Sequence, residues 1–454
     1  MKTKLLLLLS LFVLQSNAQC WDKISSGAYH TIAIAHDGTL WAWGYNANGQ
    51  VGNLSNISTA SPVKISTDTD WVTIGTGHYH SFAIKSNGTL WGWGYNAFGQ
   101  LGNGQTSDRI IPTQIGTETN WLKITGGEEF TVAIKTDGTL WSWGKNQYGQ
   151  LGIGSVTSQT LPVQIGSDNN WSQIATGRYH AYALKTTKKL WAWGLNNYSQ
   201  IGDLTTTNRT SPVAIATATN YDYITAGVDS GIAIKEDGFL NAWGLVDAVN
   251  VYANYPFNYL STLGSWTNIK AGQRHFIGTR LVSGNNLFYT WGRYPYFPNG
   301  TVNTTIATNT PTQFLNTEVI SNQLSVNLNS SLVLNNNGLL YGVGQNHVGQ
   351  LGNSNGSVIG TSFYASVACP AVLSSESFDE LNKATLYPNP VSNQLNISTP
   401  FEIQKLVIYD VTGKQVKYQE ENTNSIDVED LKSGFYLLEI TIDGNKEIRK
   451  FLKQ

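Results

Sequence analysis

A five-residue motif, Leu-Trp-x-Trp-Gly, returns along this chain at a fixed spacing. Complete copies begin at Leu40, Leu90, Leu140 and Leu190, which are 50 residues apart, and altered copies begin at Leu240, Phe288 and Leu340. A period of this length indicates supersecondary units that bury their apolar faces only against each other. The chain must therefore fold as an array of seven stacked or circularly arranged repeats.

Each repeat contains four short stretches with the alternating pattern of β-strands. In the second repeat these are residues 71–74, 81–85 and 89–93, with residues 62–65 between neighbouring repeats. The pairs Asp37-Gly38, Asn87-Gly88, Asp137-Gly138, Asp237-Gly238 and Asn337-Gly338 favour two-residue hairpins, in which both central residues have positive φ. Four-stranded sheets arranged radially predict an all-β, seven-bladed β-propeller.

The two ends of the repeat region suggest how the ring closes. No Pro-Val stretch precedes Trp21, and no Trp-x-x-Ile stretch follows residues 369–373. We therefore expect both ends to complete one blade, in the way that residues 62–65 are expected to pair with residues 71–74. Cys20 and Cys369, the two cysteines of the chain, flank this junction. In an oxidising compartment they are predicted to form a disulfide.

The amino terminus and the composition indicate an exported protein. Residues 1–18 combine a basic start, an apolar run and a small residue at Ala18, which predicts a secretory signal peptide. A lipid anchor on Cys20 is the alternative, although Gln19 replaces the small residue that such a site prefers. With a formal net charge of -2 and no basic patch, no nucleic-acid partner is expected. No other apolar run is long enough for a transmembrane segment.

Several motifs recur together in one order. They are Gly27, Ala28, Tyr29 and His30, then Leu40 to Gly44, then Asn46 and Gly49, Gln50, Val51 and Gly52, repeated with Gly77 to His80 and Gly99 to Gly102. Over about residues 20–375 the chain resembles the regulator of chromosome condensation repeat family. The Gly-Gln-Leu-Gly element is missing from units five and six. The resemblance implies a seven-bladed propeller of the kind that mostly serves as a protein-binding scaffold.

Charged residues become denser near the carboxyl terminus, where residues 376–454 hold 9 Lys+Arg and 13 Asp+Glu. Leu386-Tyr387-Pro388-Asn389-Pro390, Gly413-Lys414 and the closing Lys450-Phe451 resemble the type IX secretion C-terminal sorting domain. The expected organisation is a signal peptide (1–18), a propeller (19–375), a linker (376–385) and a small β-sandwich sorting domain (386–454). The resemblance implies passage across the outer membrane, with release of the cargo or its anchoring to surface polysaccharide.

Residues suited to catalysis or metal binding are few. His30, His80, His180 and His275 occupy one repeat position, which favours structural histidines that bond between blades. Glu128 and Glu129 are adjacent carboxylates, and adjacent strand residues point to opposite faces, which argues against joint acid-base action. Asp37, Asp137 and Asp237 have the positions of turn formers. We expect no catalytic residue, no metal and no cofactor.

Positions that vary within the constant repeat favour a binding surface. The residue after the motif glycine is Ala28, His78, Glu128, Arg178, Val228 or Gln273, and these residues are expected on one rim. The loop after Trp-Gly carries Asn48, Phe98, Tyr148, Tyr198 and Tyr296 at comparable places. Aromatic residues ringed by polar groups are typical of protein interfaces. Packing between blade edges is the alternative.

Units five and six contain two irregular aromatic stretches. Residues 245–264 include Tyr252, Tyr255, Phe257 and Tyr259, and residues 293–309 include Tyr294, Tyr296 and Phe297. Large rings in a connecting loop either pack or bind. The sequence thus predicts an exported or surface propeller that binds an unknown protein. The alternatives are a carbohydrate-binding module and a lyase or glycan-active enzyme.

Overall fold

The structure is a computed structural model. It describes residues 21–246, 255–259, 263–273, 275–292, 308–313, 323–334, 340–352, 359–360, 385–399, 402–410, 414–420, 424–442 and 445–454. The chain divides into two compact units, Met1–Cys369 and Pro370–Gln454. The predicted signal peptide, Cys20, Cys369 and residues 376–384 of the predicted linker lie outside the described residues, so the disulfide stays a prediction. Thr385, the last residue of that linker, already belongs to a strand.

The described residues of the first unit form seven four-stranded antiparallel sheets, which confirms the predicted seven-bladed propeller. Blade 1 comprises β1 (Trp21–Ser26), β2 (His30–Ala35), β3 (Leu40–Gly44) and β4 (Thr59–Ser66). Blade 2 comprises β5 (Trp71–Thr76), β6 (His80–Lys85), β7 (Leu90–Gly94) and β8 (Arg109–Ile115). Blade 3 comprises β9 (Trp121–Gly126), β10 (Phe130–Lys135), β11 (Leu140–Gly144) and β12 (Gln159–Gln164).

The remaining blades repeat this plan. Blade 4 comprises β13 (Trp171–Thr176), β14 (His180–Lys185), β15 (Leu190–Gly194) and β16 (Arg209–Ile215). Blade 5 comprises β17 (Tyr221–Ala226), β18 (Ser230–Lys235), β19 (Leu240–Gly244) and β20 (Tyr255–Tyr259). Blade 6 comprises β21 (Trp266–Ala271), β22 (His275–Val282), β23 (Asn285–Gly292) and β24 (Thr308–Gln313). Blade 7 comprises β25 (Gln323–Val326), β26 (Ser330–Leu334), β27 (Leu340–Gln345) and β28 (Ile359–Gly360).

The first strand of every blade lines a central cavity of about 590 Å³. The second strand lies between neighbouring blades and is buried on both faces, as all six residues of β2 show. That double burial explains why these strands are apolar nearly throughout rather than strictly alternating. The fourth strand is outermost, and its residues are mostly exposed or half-buried.

A tryptophan and a glycine-rich loop join neighbouring blades at five of the seven junctions. The indole Nε1 of Trp93 in blade 2 donates to the backbone carbonyl of Gln50 in blade 1, at 3.0 Å. Trp143, Trp193 and Trp243 repeat this bond with Gln100, Gln150 and Gln200. Trp43 of blade 1 makes it with Gln350 of blade 7, at 3.1 Å. The ring therefore closes through the same contact that joins blades 1 to 5.

The expected pairing of residues 62–65 with residues 71–74 is wrong. The strand β4 pairs with the preceding β3, where Ala42 lies opposite Val63, and β5 pairs with β6. Each blade is thus continuous in sequence, and β1 is the innermost strand of blade 1. Residues 369–373, which were expected to share a blade with it, lie outside the described residues. Residues 67–70 pass from the outer edge of one blade to the inner edge of the next. The disulfide prediction therefore loses its shared-blade argument.

Four of the five hairpins predicted between second and third strands, those at Gly38, Gly88, Gly138 and Gly238, also differ from the prediction. The fifth, at Asn337-Gly338, lies outside the described residues. Ala35 O accepts from Gly38 N and Thr39 O accepts from Ala35 N, which closes a three-residue loop. In the turn of blade 1, Gly38 has a positive φ (79°), whereas the preceding Asp37 does not. The result is a type I turn followed by a left-handed glycine. Asp37 accepts from the backbone and the hydroxyl of Thr39, so its predicted role as a turn former is confirmed.

The second unit is a small β-sandwich, as predicted. Its strands are β29 (Thr385–Tyr387), β30 (Gln394–Ser398), β31 (Ile403–Tyr409), β32 (Gln415–Glu420), β33 (Ser425–Asp427), β34 (Gly434–Ile442) and β35 (Asn445–Lys453). They form two sheets, β29-β30-β33 and β32-β31-β34-β35. Both sheets contribute to one apolar core, to which Leu395, Ile408 and Ile440 belong.

Candidate functional site

The loops between first and second strands and between third and fourth strands emerge on one side of the propeller, because the strands alternate in direction. We call this side the mouth face. The variable residues predicted to share a rim lie here and are joined by backbone hydrogen bonds between consecutive blades. The donor N–H groups belong to Ala28, His78, Glu128, Arg178, Val228 and Gln273, with distances of 2.9 to 3.3 Å. This arrangement confirms the prediction of a common rim.

The repeated histidines are structural, as predicted. His30 Nε2 lies 2.8 Å from Ser81 Oγ in the next blade, and that hydroxyl donates to Gln50 O. Because the hydroxyl proton is already used, His30 must carry its own proton on Nε2 and donate it. His80 pairs with Thr131 in the same way, and His275 Nε2 lies 3.1 Å from Ser331 Oγ. Burial lowers the pKa of His30, His80, His180 and His275 to about 3, so each is neutral.

Between blades 3 and 4, both members of the histidine–hydroxyl pair are replaced. Phe130 stands opposite Gly144 in the register where His80 stands opposite Gly94. The next blade has Ala181 where blades 2 and 3 have Ser81 and Thr131, and both Phe130 and Ala181 are fully buried. A histidine facing Ala181 would bury its Nε2–H donor without an acceptor, so the presence of Phe130 at the histidine position leaves no such donor unpaired.

The two adjacent carboxylates lie in a loop, which corrects the assumption that they point to opposite faces of a strand. Glu128 and Glu129 connect β9 to β10. Glu129 forms an ion pair of 2.5 Å with Lys145. Glu128 Oε2 lies 3.6 Å from Arg178 Nε in blade 4. Burial raises the pKa of Glu128.

Charged and polar groups continue around the mouth of the cavity. His78 Nδ1 lies 4.0 Å from Glu128 Oε2, and Arg178 also approaches Asp229 at 3.7 Å. Burial and the Arg178 charge lower the pKa of His78 to about 4, so its imidazole is neutral at pH 7. Arg178 Nε and Glu128 Oε2 are buried, and neither has a hydrogen-bond partner among the described residues.

Phe98 and Tyr148 belong to a cluster that spans three blades. Lys145 Nζ of blade 3 lies 4.3 Å from the ring centre of Phe98 in blade 2 and 5.7 Å from that of Tyr179 in blade 4. The rings of Tyr148 and Tyr179 are 5.2 Å apart. We call Phe98, Glu129, Lys145, Tyr148 and Tyr179 the aromatic cluster. Phe98 and Tyr148 are half-buried, so packing between blades accounts for part of their surface.

The sequence reasoning missed five tyrosines of the mouth face. Tyr29 contacts Tyr45, and Tyr79 contacts Tyr95, with ring centres 6.4 and 6.5 Å apart. Tyr179 belongs to the aromatic cluster. The signal was present, because Tyr precedes the motif histidine in three units and follows Trp-Gly in two. These tyrosines looked like constant repeat residues rather than surface residues.

The remaining predicted binding residues fall in different places. Tyr198 lies on the mouth face and is 36% exposed. Tyr255, Phe257 and Tyr259 lie on β20, the outermost strand of blade 5, so that this part of residues 245–264 is a strand and not an irregular loop. Tyr252, Tyr294, Tyr296 and Phe297 lie outside the described residues. Within the described ranges, no group of three or more His, Cys, Asp or Glu side chains is arranged to hold a metal ion.

Two kinds of domain are shown by comparison with protein families. Residues 37–84, 87–134 and 137–184 match the Regulator of chromosome condensation (RCC1) repeat, and a second family of that description matches residues 21–50, 71–100, 121–150 and 171–200. Residues 385–454 match the Secretion system C-terminal sorting domain. The chain is an RCC1-repeat propeller with a secretion sorting domain. The sorting domain marks this RCC1-repeat propeller for type IX secretion, to the cell surface or beyond it.

Solved structures share the fold of this RCC1-repeat propeller. Human WBSCR16 is 18% identical, with a TM-score of 0.61 over 70% of this chain and 92% of that chain. Prp20p from Saccharomyces cerevisiae is 22% identical, with a TM-score of 0.59 over 67% of this chain and 80% of that chain. The Ultraviolet-B receptor UVR8 of Arabidopsis thaliana is 43% identical over 49 residues, and this match spans only 11% of the receptor. Among the residues described, no helix is long and apolar enough to cross a membrane.

Proposed function

We propose that this exported propeller is a protein-binding scaffold and that its partner binds the mouth face on blades 2 to 4. The aromatic cluster carries this proposal, because it combines three half-buried rings from blades 2, 3 and 4 with the Glu129–Lys145 ion pair of blade 3. Rings and Arg side chains surrounded by polar groups are the usual centres of binding energy in protein interfaces. Arg178, beside the cluster, has a side chain that is 39% exposed.

Two further observations support a scaffold rather than an enzyme. The Prp20p structure is described together with that protein's binding to Gsp1p and histones, so a propeller of this fold can serve as a protein-binding surface. In the present chain, Glu129 pairs with Lys145 while Glu128 faces Arg178, so the adjacent carboxylates have separate cationic partners. An acid-base pair acting on one substrate needs both groups to converge on it.

Single substitutions on the mouth face test the proposal. We expect Arg178→Ala and Tyr198→Ala each to weaken binding by about 2 kcal/mol, roughly 30-fold, if these residues are hot spots. The partner is captured from surrounding cells by crosslinking, purified, and titrated against each variant by biolayer interferometry. Phe239→Ala is the matched control, because Phe239 is also 36% exposed but lies in a β18–β19 turn on the opposite face. Equal losses for Phe239→Ala and Tyr198→Ala would contradict the proposal.

The same variants also distinguish a protein partner from the alternatives. A glycan array probed with the mature protein detects carbohydrate binding, and glycan binding that Tyr198→Ala abolishes would replace the protein partner by a sugar. The double variant Tyr255→Ala/Tyr296→Ala tests whether blades 5 and 6 contribute. A loss of about 2 kcal/mol or more in binding with an unchanged melting temperature would extend the surface to those blades.

We also propose that the sorting domain serves export and contributes nothing to propeller stability or binding. The two compact units have separate apolar cores. Deleting residues 384–454 should retain the propeller in the periplasm and change its melting temperature by less than about 2 °C, since no core residue of the propeller is removed. Cell fractionation and calorimetry measure the two effects. A large fall in the melting temperature would show that the units depend on each other.

A further inference from the structure

The central cavity is electropositive although the whole chain is not. Its described lining contains two cationic side chains, Lys123 and Lys270, and no carboxylate. His78 at the mouth is neutral at pH 7. The complete chain has a formal net charge of -2, so this concentration of positive charge is local. Charge of one sign on the walls of a confined space raises the local concentration of the opposite ion.

Lys270 departs from the repeat at its position on β21. The equivalent residues on the other inner strands are hydroxyl or small residues, namely Ser25, Gly75, Thr125, Ala175, Thr225 and Ser325. A lysine at this place costs side-chain entropy and partial desolvation. Its Nζ lies 5.7 Å from the ring centre of Tyr223 and forms no ion pair with any carboxylate that the structure describes. The packing of the blades does not require this charge.

Other hydrogen-bonding groups stand around the same cavity. Thr125 Oγ1 and Thr176 Oγ1 are 2.9 Å apart, and Ser325 Oγ accepts from Ser26 N at 2.8 Å. Because Ser325 Oγ uses a lone pair for that bond, its hydroxyl proton is free to be donated elsewhere. Lys123 Nζ lies towards the opposite end of the inner strand and donates to Ser172 O at 2.6 Å.

We propose that the central cavity binds a small anion bearing carboxylate or phosphate oxygens, with Lys270 as its principal cation and hydroxyl groups of the inner strands as additional donors. A charge-assisted hydrogen bond to an anionic oxygen is stronger than the neutral bonds nearby. The cavity of about 590 Å³ has room for a small-molecule ligand. This site is distinct from the aromatic cluster on the mouth face.

Calorimetric titration of the mature full-length protein tests the site. Inorganic phosphate and citrate are titrated at constant ionic strength, with chloride as the balancing ion, so that general screening is the same throughout. Lys270→Gln should weaken binding by about tenfold or more, and Lys270→Arg should retain most of it. Lys64→Gln is the control, because Lys64 lies on the outer strand β4.

The titrations of the Lys270 and Lys64 variants decide whether the central cavity is an anion site. Binding of phosphate or citrate that Lys270→Gln weakens and Lys64→Gln does not would support the site. A peptide with a free terminal carboxylate, compared with its amidated form, shows whether a protein terminus is an alternative source of the anion. Absence of binding up to about 10 mM of every probe would overturn the proposal. Equal losses for Lys270→Gln and Lys64→Gln would overturn it as well.

Discussion

Mild acid should unfold the propeller, because its free energy of unfolding falls steeply between about pH 6.5 and pH 3. His30, His80, His180 and His275 have pKa values of about 3 in the folded protein, against 6.5 for an unperturbed histidine. Below pH 6.5 the unfolded chain therefore takes up protons that the folded chain refuses. The contribution of these neutral histidines to the free energy of unfolding is therefore fully present above pH 6.5, and it is lost as the pH falls towards 3. Within this range each histidine lowers the free energy of unfolding by about 1.4 kcal/mol per pH unit. The four together lower it by roughly 5 to 6 kcal/mol per pH unit.

The third blade supplies the test of this prediction. His80→Phe combined with Thr131→Ala copies the Phe130 and Ala181 pair that already occurs in the core. We expect stability at pH 8 to change by less than about 2 kcal/mol, while the pH dependence between pH 4 and 6 falls by about 1.4 kcal/mol per unit. Urea unfolding at a series of pH values measures both. His36→Gln is the control, because the side chain of His36 is 66% exposed. An unchanged slope in the double variant would contradict the mechanism.

Gly352→Ala should destabilise the propeller where blade 7 contacts blade 1. A Cβ at Gly352 would lie 2.8 Å from Trp43 Nε1, and the glycine has a φ of 75°. Trp43 is fully buried and its indole donates to Gln350 O, so it has no room to move. Clash and backbone strain together should cost about 3 kcal/mol or more. Urea unfolding at pH 8 measures the loss.

Gly116→Ala provides the matched control for Gly352→Ala. Gly116 also has a positive φ, 62°, but a Cβ there would meet nothing within 4 Å. It should therefore cost only the backbone strain, about 1 to 2 kcal/mol. The difference between the two variants isolates the contact between blade 7 and blade 1. If both variants lost the same stability, the Trp43 contact would not be what closes the ring.

The sequence by itself determined the architecture, and it did so because the information is periodic. Seven copies of one motif predicted seven blades, and the bonding of His30 across blades followed from the recurrence of histidine at one position. The common rim of Ala28 to Gln273 was predicted for the same reason, since equivalent positions in a circular array lie at equivalent heights. Local alternation also identified the strands of the sorting domain.

Only the tertiary structure decided which neighbours those strands and side chains have. Alternation marks residues 62–65 as a strand but is silent on whether β3 or β5 is the partner, since both lie close in sequence. The turn at Gly38 was misjudged because Asp-Gly suits both a two-residue turn and a type I turn with a left-handed glycine. The joint change to Phe130 and Ala181 is visible in the sequence, but it has meaning only once residues 51 positions apart are known to touch. Likewise, nothing in the local sequence places Lys270 in a central cavity, because that cavity exists only when seven inner strands meet.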